Sequence, residues 1–168
     1  LFTMHLDVHV EEPSMEIVLK CLLPQILSSS VTFKILTYQS KPDMLRKLPK
    51  RLKAYSRRVV NEDLRILVLI DEDRQDCQIL KNQLENMSLS VGLQTKTASM
   101  GQGSVYVVNR IVIEELEAWF FGDEEALKKA FPKIQNVQLS KKKRYRDPDS
   151  IPGGTWESLH SVLKNHGY

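Results

Sequence analysis

The sequence predicts an α/β fold: a mostly parallel sheet with helices on both faces, the three-layer, Rossmann-like arrangement. Three observations predict it. Strand-like and helix-like segments alternate from the start of the chain. The segment Arg65–Ile70, RILVLI, is almost continuously apolar, as a strand buried on both faces of a parallel sheet is. The segments between strands carry apolar residues at helical spacing.

Taken in order, Leu6, Val8 and Val10 alternate with His5, Asp7 and His9, which reads as a strand with one buried face. It stops at Glu11-Glu12-Pro13. Ser14 can then cap a helix whose first turn holds Glu16, where a carboxylate suits the helix dipole. Ile17, Leu19, Leu22, Leu23 and Ile26 give that helix its apolar face. Val31–Tyr38 reads as a second strand. Asp43–Arg58 is helical in spacing, with Pro49 expected to kink or split it. After RILVLI comes the acidic run DEDRQD, then a helix over about Asp76–Ser90. Gly101–Ser104 reads as a loop, because it lacks the Lys-Ser/Thr ending of a phosphate-binding loop. Tyr106–Ile113 is a strand, Glu114–Phe120 a short helix, and another helix runs from Gly122-Asp123 to about Phe131. Pro132–Gly154 is polar and aperiodic, and Thr155 is expected to cap a last helix.

At 168 residues, with 42% hydrophobic and 27% charged residues, the chain suits one domain with a buried core. No apolar run is long enough to cross a bilayer, so no membrane association is expected. Cys21 and Cys77 sit in helical segments among apolar neighbours and read as buried free thiols, which suits a reducing compartment and a cytoplasmic protein. The net charge of +3 is unevenly distributed. Arg46–Arg58 and Lys141–Arg146 are basic stretches that can meet phosphates or can be solvated surface.

Sites in open parallel sheets gather at the carboxyl ends of strands. Three acidic groups fall there: Glu11 and Glu12; Asp71, Glu72 and Asp73; Glu114, Glu115 and Glu117. Asp71 and Asp73 are two apart, so in extended chain both carboxylates face one cation, with Glu11 from a neighbouring strand completing the set. Such oxygen ligands suit Mg²⁺ or Mn²⁺. Asp and Glu also cap helices and fill loops, and the spacing alone leaves both readings open. His5 and His9 share a strand face but stand too far apart for one metal, and both read as surface histidines. Trp119, Phe120 and Phe121 read as core. Lys143, Arg144 and Arg146 can neutralise a phosphate near the cation or can be a loop. The turn-rich stretch Asp147–Trp156 can fold over the active face or be a structural turn.

The pieces VEEPSMEIVL, LVLIDEDRQDC, NRIVIEELEAWFFGDEEAL and RYRDPDSIPGGTWESL resemble DUF4276, a family of bacterial proteins with a Toprim-like domain related to the overcoming-lysogenization-defect nucleases. The resemblance covers nearly the whole chain and implies one Toprim-like domain over residues 1–168. Family members continue past a segment like LKNHGY, so it also implies a C-terminal truncation. It implies a Mg²⁺ site in which Glu11 matches the glutamate after the first strand, and Asp71 and Asp73 match the later DxD. The nuclease branch's Glu-Gly-x-Thr-Glu pattern is altered here: Glu12 replaces the glycine, Ser14 the threonine, and Glu16 comes one position late. Glu117-Ala118-Trp119 resembles a Glu-Asn-Tyr pattern and makes Glu117, with Glu16, a candidate for a second ion. The implied function is a Mg²⁺-dependent phosphodiesterase acting on nucleic acid, with a partner ATPase and a role in phage defence in some systems. The alternative is a non-catalytic module that binds a partner ATPase or nucleic acid. A nucleotidyl or phosphate transferase with a small substrate is a third reading.

Overall fold

The computed structural model describes residues 3–73 and 75–168. Among these residues, four strands form one parallel sheet: β1 (Met4–Val10), β2 (Val31–Thr37), β3 (Leu64–Asp71) and β4 (Val107–Val112), in the order β2-β1-β3-β4. Between them run α1 (Pro13–Ile26), α2 (Lys41–Arg58) and α3 (Cys77–Leu89). After β4 come α4 (Glu117–Gly122), α5 (Glu124–Ala130), three single 3₁₀ turns and α6 (Thr155–Asn165). The predicted α/β class and Rossmann-like layering hold. The chain packs as two compact units, Leu1–Ile70 with Gln75–Ile111, and Asp71–Arg74 with Val112–Tyr168.

In the first unit, β1 pairs in parallel with β2 and with β3, so the strand order reverses between β1 and β3. Leu64, Ile66, Val68 and Ile70 of β3 form one core with Met44, Leu48, Leu52 and Tyr55 of α2 and Leu80 and Leu84 of α3. The helix period of α2 and the strand period of β3 meet there, and each fully buried leucine contributes about 2 kcal/mol. Helix α1 packs on β1 and β2 instead, burying Met15, Leu19 and Leu23. Its expected apolar face was too wide, since Ile17 and Ile26 are both exposed. Cys21 is exposed as well, contrary to its expected burial, and Cys77 is half-buried.

Pro49 does not split α2, which runs unbroken for 18 residues. The buried row Met44, Leu48, Leu52 and Tyr55 spans the proline on both sides, and its burial outweighs the hydrogen bond Pro49 cannot donate. Ser40 caps the helix by accepting from the Asp43 amide, while Arg57 and Arg58 close it where cations suit the dipole. Helix α3 starts because the Asp76 carboxylate accepts from the Gln78 and Ile79 amides at 2.8 and 3.0 Å.

The second unit has its own core of Phe121, Leu127, Ile134, Leu139, Ile151 and Val162, with Tyr145 stacked on Phe121. The aperiodic stretch after Phe131 is held by polar contacts. Glu124 accepts from the Leu139 and Ser140 amides at 3.1 and 2.9 Å and pairs with Lys128. Hydrogen bonds from Ser140 and Lys128 hold the Glu124 carboxyl down at about 2.

Candidate functional site

Each acidic candidate is set by the element before it. Glu11 directly follows β1 and is half-buried. Asp71 is the last residue of β3 and 7% exposed, so its carboxylate enters the protein at the end of the most apolar strand. Beyond it the chain leaves extended geometry. Asp73 has φ +50° and Glu114 φ +58°, both in the left-handed region that side chains rarely adopt. The two corners are laced together: the Glu72 amide donates to Val112 O at 2.9 Å, the Glu114 amide to the Glu72 carboxylate at 3.2 Å, and the Asp73 amide to Glu114 O at 3.4 Å. The strand alternation invoked for Asp71 and Asp73 therefore ends before Asp73. Among the described residues, no three His, Cys, Asp or Glu side chains stand gathered about one point as a metal site requires.

The remaining acids have distinct roles. Glu16 lies in the first turn of α1, 2.6 Å from Lys20 Nζ, and accepts the Thr37 hydroxyl. The hydrogen bonds from Lys20 and Thr37 hold its carboxyl below the usual range. Glu117 opens α4. Glu115 reaches forty residues along the chain to α6. Its carboxylate accepts from the Thr155 hydroxyl at 2.8 Å and the Trp156 amide at 2.9 Å. Thr155 is thus not the cap, as expected, but the first helical residue; Gly154 precedes it and Glu115 caps from a distance.

Among the basic candidates, Lys143 and Arg146 are exposed. Arg144 is anchored, its Nη2 donating to Pro152 O at 2.9 Å and to Ser158 Oγ at 3.1 Å. Lys143, Arg144, Asp147, Ser150, Pro152 and Gly153 line an open hollow of about 770 Å³. Asp147–Trp156 is a structural turn there. Asp147 accepts from the Asp149 amide and the Ser150 hydroxyl, and Gly153 and Gly154, at φ +89° and +97°, supply the left-handed steps that lead into α6. Of the aromatic trio, Phe121 is core, whereas Trp119 is 41% exposed.

Sequence reasoning missed a buried polar row on the other side of the first unit. His9 is not at the surface; it is fully buried on β1 beneath α2. Its Nδ1 lies 2.9 Å from the Tyr38 hydroxyl and its Nε2 3.1 Å from the Tyr55 hydroxyl. Asp7, also buried, shares the same strand face, with His5 Nε2 at 3.3 Å and Arg58 Nη1 at 3.9 Å. Lys41 is buried at the start of α2. The readable signal was the pair of tyrosines, Tyr38 just after β2 and Tyr55 within α2, whose hydroxyls need partners when buried.

The fold and these strand-end carboxylates define an α/β protein of the doubly wound, parallel-sheet class, with acidic groups after β1 and β3. The chain belongs to the family described as Domain of unknown function (DUF4276), whose model matches residues 10–168. No curated protein and no solved structure matches it. No helix among the described residues is long and apolar enough to cross a membrane.

Proposed function

We propose that the chain is a Mg²⁺- or Mn²⁺-dependent phosphodiesterase acting on nucleic acid, with Glu11, Asp71 and Asp73 as the cation's carboxylates. The observation that carries the reading is the acidic run that ends β3. Asp71 is buried at the carboxyl end of a strand beside the reversal of strand order, which is where parallel α/β sheets bind ligands. The left-handed backbone at Asp73 and Glu114 adds to it, because conformations of this kind, costing about 1–3 kcal/mol each, cluster at functional sites. When bound, the cation would supply Lewis-acid stabilisation of charge on a phosphoryl oxygen. Lys143, Arg144 and Arg146 would meet backbone phosphates, with Arg144 also fixing the turn it is bonded to. A second cation on Glu16 and Glu117 is the weaker part of the proposal, since Lys20 already occupies Glu16. A Toprim-like ancestry and a part in phage defence belong to the same reading.

One observation favours a second reading, a non-catalytic module that binds nucleic acid or a partner ATPase: the described carboxylates are not gathered as an ion site. Incubation of the protein with labelled nucleic acids and Mn²⁺ separates the two. The first reading expects cleavage that EDTA stops and that Asp71→Asn and Asp73→Asn each reduce at least about a hundredfold, the order expected when a group stabilising transition-state charge is removed. Cleavage at wild-type rate in both variants, or none by a folded wild-type protein, overturns it.

A further inference from the structure

After its first turn, α2 is unusual in carrying no acid of its own. Between Asp43 and Glu62 the sequence holds seven Lys and Arg and not one Asp or Glu. A helix kept soluble by charge interleaves acids at i±4, which stabilise it; an unbroken basic row repels itself. Two open hollows lie along this face. One, of about 350 Å³, is lined by Lys34, Arg51 and Arg58 together with His5 and the buried Asp7; the other, of about 540 Å³, by Arg46, Lys47, Lys50 and Arg51. They share Arg51 and Ala54, and so form one continuous basic track. Lys34 joins it because it stands in register with Asp7 on the α2-facing side of the sheet.

The local acids offset only part of this charge. Asp43 pairs with Arg46 and Lys47 at the head of the helix, and Glu62 with Arg58 at its tail, where Asp7 also lies 3.9 Å from Arg58. Among the described residues, neither Lys34, Lys50 nor Arg51 has a carboxylate partner; Arg51 lies over the Tyr38 ring instead. From Arg46 to Arg58 the helix rises about 18 Å. That length is enough to reach several phosphates of a duplex backbone.

We propose that this face of α2, with Lys34 beside it, is a docking track for the phosphate backbone of a nucleic-acid duplex. The inference rests on the reading above that the protein acts on nucleic acid, and names a surface for it that the basic loop of the second unit does not include. The apolar side of α2 is fully used in the core, so the helix has nothing to insert into a membrane. The aromatic rings beside the track, Tyr38 and Tyr55, are buried and hydrogen-bonded to His9, so they cannot stack on unpaired bases. Binding through the track is therefore independent of sequence and gains nothing from single strands.

The test is fluorescence anisotropy of a labelled 20-base-pair DNA duplex in EDTA, from about 50 to 300 mM salt. EDTA removes any dependence on the cation site, so binding here stands or falls separately from cleavage. Wild-type protein is expected to bind with an affinity that falls steeply with salt. Lys34→Ala/Lys50→Ala, both at exposed positions, should weaken binding at least about tenfold at 100 mM salt and lower the log–log salt slope by about 2. Arg51→Ala added to the pair should lower the slope by about 1 more. Unchanged unfolding midpoints confirm that the variants fold. Wild-type affinity and slope in the double and triple variants overturn the proposal. So does tighter binding to polyglutamate or to vesicles of anionic lipid than to the duplex.

Discussion

Acidification from pH 7 to pH 4 is expected to remove about 3 kcal/mol of stability through His9 alone, and His9→Gln to abolish that loss. His9 is fully buried, and burial, with the Arg51 charge nearby, lowers its pKa to about 4 from the ordinary 6.5; Asp7 opposes the shift. Burial pushes the Tyr38 hydroxyl up to about 12 and raises Tyr55 further, so both phenols keep their protons. One hydroxyl donates to the bare imidazole nitrogen and the other accepts from its N–H, an arrangement that suits the neutral ring. Below pH 6.5 the unfolded chain takes up a proton at His9 that the folded one refuses. Stability therefore falls as pH drops from about 6.5 to about 4 and levels off below that, while it is unaffected above pH 7. The carboxyls held low by their partners, Glu16, Asp43, Glu62 and Glu124, act in the opposite sense of charge and lower in pH. Their contributions are present above the unfolded carboxyl range and are lost only as pH falls below it. Urea unfolding at pH 7, 6 and 5 isolates the histidine, as wild type weakens over that range and His9→Gln does not. Parallel pH profiles for the two would contradict the buried neutral imidazole.

Glu115→Ala should cost about 2 kcal/mol, because it removes the charged cap from α6 and leaves a buried hydroxyl without a partner. Thr155 is fully buried, so water cannot replace the carboxylate there. Glu115→Gln keeps an accepting oxygen at the same reach and should recover about half of the loss. The comparison with Glu125→Ala, an exposed acid on α5, controls for charge alone and should cost under about 0.5 kcal/mol. A Glu115→Ala protein as stable as wild type would mean that α6 does not depend on this cap.

What was legible in the sequence follows from the range of the interactions involved. RILVLI declared itself as a strand because burial on both faces leaves no room for polar residues. Asp76 and Asp123 marked helix starts because a cap reaches only two or three residues, and each does accept amides of the helix that follows. His9 was misread because alternation in HLDVHV separates two faces without saying whether both are covered; α2 covers the polar one, and two tyrosines far along the chain satisfy the imidazole. Cys21, Ile17 and Ile26 looked buried because helical spacing is generous, whereas the contact made by α1 is narrow. Glu115 as a distant cap was invisible, since its partners lie forty residues on. For the acidic run after β3, composition located the group, but the left-handed turn at Asp73 depends on pairing with the Glu114 corner, which no local pattern encodes.

The central claim, a cation held after β1 and β3, is tested most directly by calorimetric titration of the full chain with Mn²⁺. The account predicts saturable binding that Asp71→Ala and Asp73→Ala each abolish while the variants keep the wild-type circular dichroism spectrum. A folded wild-type protein that binds no Mn²⁺, or binding that survives both substitutions, would contradict it and leave the non-catalytic module as the better reading.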